Sequence, residues 1–225
     1  MMRPSVEDHA RVSAAVRAAE SGTSGEIVTI VADRSHKFED VALIYTGLAA
    51  LLVPVLFAAW PALPLGIVAR MSGGWGETEI RDLMLLNFAA MALVSAIVFG
   101  LLQIEPLRLR LRLTPNATRR RRVRGRACEL FKVAAEARTT GRTGILIYLS
   151  LGEHMAEIIA DEAIHSKVDP SLWGDAMIAM VVEVREGRIA DGMIAAIAQV
   201  GIILHECLPR SVDDNNELPD RLIEL

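Results

Sequence analysis

Hydrophobic and polar positions alternate along this chain in three different rhythms, and each rhythm predicts a different element. Two stretches have no rhythm because they are apolar throughout: Val41 to Ala69 and Leu83 to Ile104 contain no charged residue. At about 1.5 Å of rise per residue, roughly 20 residues cross a hydrocarbon layer of about 30 Å. The pattern therefore predicts two transmembrane helices, at about 41–60 and 83–104, joined as a helical hairpin over 41–105. Pro54, Pro61 and Pro64 are expected to bend or end the first span. In the second, Ala92, Ala96 and Gly100 recur every four residues, a spacing that predicts close approach of two helices. Asn87 is expected to donate a hydrogen bond across that same contact.

Outside these stretches the periods are shorter. Ser5 followed by Asp8 resembles a capping box and opens a helix that Gly22 and Gly25 close. "GEIVTIVAD" is a β-branched run of strand length, from Glu26 to Ala32. A second helix is expected from Arg119 to Ala137, and "TGILIYLSLGEHMAEIIAD" reads as a hairpin with strands at Gly144–Leu151 and Met155–Ala160. Asp169 and Pro170 open a helix with Trp173, Met177, Met180, Val181 and Val184 on one stripe, where Trp173 reads as core. Ile189, Met193, Ile197, Val200 and Leu204 trace a last amphipathic helix before Pro209. The tail "RSVDDNNELPDRLIEL" is polar and expected to be loosely held.

A lone helix and strand ahead of the membrane segment cannot bury a core. The expected fold is therefore a small mixed-sheet α/β sandwich domain, split by the inserted two-helix hairpin. Its first part spans 1–40 and its second 127–209, with an arginine-rich linker at 106–126 and the polar tail at 210–225. The first strand is expected to pair with or neighbour Gly144–Leu151 across a helical crossover.

Charge settles orientation. Arg108 to Arg126 holds 9 arginines and no acid, and residues 127–225 carry 8 basic against 17 acidic groups. Positive charge beside a membrane exit resists translocation, so both termini are expected in the cytoplasm. Arg108, Arg110, Arg112, Arg119, Arg120, Arg121 and Arg122 are expected to face anionic lipid, at about 1 kcal/mol each near the surface. Nucleic acid is not the expected partner, because no aromatic residue interrupts the run. Cys128 and Cys207 form no paired motif and fit a reducing compartment.

"SGEIVTIVADRS", "GRTGILIYLSLGEHMAEIIAD" and "REGRIADGMIAAIAQVGIILHECLP" are similar to the TPM domain family, in particular its bacterial membrane proteins with a transmembrane hairpin after the first strand. That resemblance extends to Pro209. It implies a compact α/β sandwich in the bacterial inner membrane, with roles in acid phosphatase activity, divalent-metal binding, or assembly and repair of membrane complexes such as photosystems. One departure is that "DEAIHSKVD" stands where many members carry a glycine-rich stretch.

If the first strand runs parallel to Gly144–Leu151, Glu26, Asp161 and Arg142 share one rim, with Asp33 at the opposite end of the first strand. Two carboxylates beside an arginine suit a calcium or magnesium ion held by oxygen ligands, which in turn would hold a phosphate. The alternative is that such acids are solvated, or that Asp161 caps the helix after it. Glu157 reads as an exposed face residue. His154 and His165 lack a third ligand, and His205-Glu206-Cys207 lacks the spacing of a zinc motif. No GxSxG, Walker loop, GxGxxG or CxxC is present. The expected function is a cytoplasm-facing binding, assembly or quality-control module for a membrane protein or complex. The competing class is a divalent-metal-dependent phosphatase-like hydrolase.

Overall fold

The computed structural model describes residues 4–71, 73, 80–104, 109–136, 143–210, 218 and 220–225. Two compact units emerge, one formed by 1–36 with 116–225 and the other by 37–115.

The first unit is a mixed α/β fold built on a four-stranded sheet. Its strands are β1 (Glu26–Ala32), β2 (Gly144–Ser150), β3 (Met155–Ala160) and β4 (Leu222–Glu224), in the order β3-β2-β1-β4. β1 and β2 are parallel, paired from Glu26–Gly144 to Ala32–Ser150. β3 returns antiparallel to β2, from Ser150–Met155 to Ile145–Ala160. β4 runs parallel to the other side of β1, from Thr29–Leu222 to Val31–Glu224.

Both faces of β1 and β2 are covered, which is why these strands read as unbroken apolar runs. Ile27, Val31, Ile145, Ile147 and Leu149 pack with α1 (Val6–Glu20), α8 (Pro170–Arg185) and α9 (Ile189–Cys207). Val28, Ile30, Leu146 and Tyr148 point the other way, onto Val123, Ala127 and Phe131 of α6 (Asn116–Phe131). The capping box forms as expected: Ser5 Oγ accepts from the Asp8 amide while Asp8 accepts from the Ser5 amide. α9 is itself long and apolar enough to cross a membrane, yet it lies at the centre of this core with Met193, Ile197, Val200 and Leu204 buried.

The tail corrects the sequence reading. Leu218 and Leu222 are buried, and the last residues form a strand rather than a loose end. A three-residue strand is too short to display a period of two, and its partner lies almost the whole chain away.

The second unit consists of α2 (Glu39–Ala59), α3 (Ala62–Met71), α4 (Ile80–Gln103) and α5 (Leu109–Leu113). The first apolar run breaks at Pro61, between α2 and α3, while Pro54 is carried inside α2. α2 packs against α4, as does α3. The packed side of α4 is not the small-residue stripe. Ala92, Ala96 and Gly100 are exposed, and a methyl group added at Gly100 would meet nothing within 4 Å. Leu83, Asn87, Met91, Val94, Val98 and Leu102 form the more buried side instead. Larger side chains at these positions remove more apolar area, and spacing by four permits close approach without dictating which face turns inward. Asn87 Nδ2 reaches Met91 Sδ of its own helix at 3.6 Å rather than a neighbouring helix.

Candidate functional site

Gly144 is the organising point of the sheet edge at which β1 and β2 begin. Glu26 lies beside it on β1 and Asp161 faces it across the β2–β3 pair. The Asp161 amide donates to the Gly144 carbonyl at 3.0 Å, and the Gly144 amide donates to Asp161 Oδ2 at 3.0 Å. This second bond decides what Asp161 does. It occupies the N-cap position of α7 (Glu162–His165) but makes no side-chain cap bond, because its carboxylate is turned back to the strand. Glu26 is similarly engaged: its Oε2 accepts from the Leu218 amide at 3.3 Å. Both acids are nearly sealed, with exposures of 5 and 6%.

Two strand spacings separate the Cα atoms of Glu26 and Asp161, about 10 Å. Among the described residues no three His, Cys, Asp or Glu side chains gather as a cation site. What the two carboxylates are seen to do is accept backbone N–H groups, and no step of chemistry is drawn through a cation there. Arg142 lies outside the described residues.

A third acid at this edge carried no sequence signal. Glu20, in the last turn of α1, accepts from the Ile27 amide at 2.7 Å through Oε1, and its carboxyl also meets that of Asp220. Burial, reinforced by the charges of Glu26 and Asp220, pushes its carboxyl up to about 8. Nothing in the sequence singles out Glu20, and only the return of β1 beneath it withdraws most of its side chain from water.

The opposite end of the sheet holds a second missed acid. Glu153, in the β2–β3 turn, is 2% exposed. Its carboxylate accepts from the Ser35 amide at 3.1 and 3.2 Å and from the Ser150 hydroxyl. Ser35 Oγ and the Tyr148 hydroxyl are 2.8 Å apart, and burial raises the Tyr148 phenol above its usual range. Gly152 completes the clasp, since a methyl group there would sit 2.7 Å from the Asp33 carbonyl oxygen. The donors on Glu153 are neutral, and they bind the segment after β1 to the hairpin turn. The chemistry of this cluster is positional. Its partners are 118 residues apart in the chain, so no local pattern marks it.

The arginines divide by position. Arg110 donates to the Lys37 carbonyl at 3.2 Å, and Arg112 is exposed. On α6, Arg119 bonds Asn116, Arg122 approaches His36 at 3.5 Å, and Arg120 and Arg121 are exposed. Arg108 lies outside the described residues. Glu157, expected to be exposed, is half-buried on β3 with Arg124 3.7 Å away. Burial raises its carboxyl, against the pull of Arg124 and Arg120. A pair at that distance with an exposed guanidinium adds little stability.

No family model matches this chain, and no curated protein matches it. A solved structure does: the NMR structure of the BA42 protein from the psychrophilic bacterium Bizionia argentinensis has a TM-score of 0.56 and 16% identity, covering 100% of this chain and 97% of that one. At that identity the likeness shows the fold alone.

Proposed function

We propose that this chain is a TPM-like α/β module anchored in the bacterial inner membrane by the hairpin of α2 and α4, with both termini cytoplasmic. Its work is to bind lipid and a membrane protein or complex, in assembly or quality control. One observation carries the reading. α2 and α4 pack together yet leave Leu43, Ile44, Leu48, Leu51, Leu52, Val55, Leu85, Phe88, Leu93 and Ile97 turned outward. Each such side chain forgoes about 1.5–3 kcal/mol when left in water, so this surface suits hydrocarbon. Arg110, Arg112 and Arg119–Arg122 follow the second span directly and favour the cytoplasmic, anionic leaflet.

Binding is favoured over catalysis because the buried acids Glu26, Asp161 and Glu153 each accept from backbone amides. Alkaline carbonate treatment of cell membranes tests the anchor: the full chain stays in the pellet, and release into the supernatant contradicts the reading. The hydrolase alternative would gain from turnover of p-nitrophenyl phosphate that requires magnesium or calcium and is lost in Asp161→Asn.

A further inference from the structure

β3 is the free edge of the sheet: β2 pairs one side of it, and no strand lies on the other among the described residues. The register fixes which groups are left over. Because the Asp161 amide donates to the Gly144 carbonyl, residues two apart from it, Ile159, Glu157 and Met155, also turn their backbone groups toward β2. Ala156, Ile158 and Ala160 turn theirs outward, and no described group meets them. Pairing with β2 continues over six residue pairs without a bulge, and "MAEIIA" contains neither proline nor lysine. Of the devices by which sheets blunt such an edge, β3 carries only the charge of Glu157, which is half-buried beside Arg124.

What flanks this edge is charged. α6 packs on β3, and Arg124 sits 3.7 Å from Glu157. Arg120 is one helical turn from Arg124 on the same flank and acts on the same carboxylate, and both guanidinium groups are exposed. α8 packs against β3 as well. The edge is thus an open row of main-chain donors and acceptors lying under a cationic rim.

We infer that β3 accepts an added strand from a partner protein, an extended acidic segment whose carboxylates alternate toward Arg120 and Arg124. Main-chain bonds to Ala156, Ile158 and Ala160 supply the affinity, and side chains of alternate residues supply the selection. A second copy of this chain is disfavoured as the occupant, since pairing two β3 edges brings two arginine rims together. The inference rests on the binding-module reading and gives that partner its chemistry.

The test uses the full chain in detergent micelles, with a fluorescent eight-residue peptide of alternating glutamate and valine as the probe. Hydrogen exchange at Ala156, Ile158 and Ala160 slows at least tenfold with the peptide, while Glu157 and Ile159 do not change. The same peptide N-methylated at every second amide, made in both phases, loses at least tenfold in affinity in one phase. Arg120→Gln with Arg124→Gln weakens the unmodified peptide about tenfold. Equal binding by both N-methylated peptides, or no protection at the three outward amides, overturns the inference, because charge attraction alone then accounts for the binding. Protection of those amides without peptide, rising with protein concentration, also overturns it in favour of a second copy. Protection by phosphatidylglycerol vesicles but not by peptide does so in favour of lipid. Failure of the anchor shows separately, as carbonate release of a chain that still binds the peptide.

Discussion

A chain lacking residues 218–225 melts about 10 °C or more below the full chain and becomes sensitive to protease across the sheet. Leu218 and Leu222 are both buried against the sheet, and burying a leucine is worth about 1.5–3 kcal/mol. Their loss, of order 3–6 kcal/mol, is a large share of a typical domain stability of about 5–15 kcal/mol. For a chain of this size each kcal/mol shifts the midpoint by about 2–4 °C. The deletion also uncovers the β1 edge that β4 occupies, and it removes the Leu218 amide that holds Glu26 Oε2. Thermal unfolding in detergent measures the effect. An unchanged midpoint would mean that the tail adds nothing to the fold.

Stability of the wild-type chain falls between about pH 5 and pH 8, and Glu20→Gln removes that fall. The folded value for Glu20, about 8, lies above the ordinary value of 4.5. The folded chain therefore holds this proton more tightly than the unfolded chain does. The resulting stabilisation is complete below about pH 4.5, declines as pH rises, and is gone above about pH 8. Glutamine keeps an acceptor for the Ile27 amide and stays neutral throughout. The carboxyl retains some contact with water, so the difference between the two chains is of order 2 kcal/mol, or about 5 °C at the extremes. Parallel melting curves over this pH range would show that Glu20 is ionised in the fold at neutral pH.

Both predictions rest on residues whose neighbours are far away in sequence, and the same distinction separates what could be read from what could not. β1, β2 and β3 were legible because β-branched runs and a hairpin spacing are local signals, and the nearness of β1 to β2 followed from the need to bury β1 at all; their direct parallel pairing came from the structure. The rim position of Glu26 and Asp161 followed from strand direction. What their side chains do there did not, since it depends on the amides of Gly144 and Leu218. Glu20, Glu153 and β4 were missed for one reason: each is polar or short by itself, and each is buried by an element that arrives from elsewhere in the chain. α9 shows the converse, since its composition resembles a membrane span while its place is among the buried residues of the α/β core. The small-residue stripe on α4 was visible as a spacing, but spacing carries no information about which side meets the partner helix.

The central claim is that the chain leaves the cytoplasm after β1 and returns before α6. The most direct measurement is labelling of single cysteines in intact cells, with Cys128 and Cys207 changed to serine. The account predicts that Gly73→Cys reacts with a membrane-impermeant maleimide from outside and that Arg121→Cys reacts only after lysis. The reverse pattern, or protection of both positions until lysis, would contradict it.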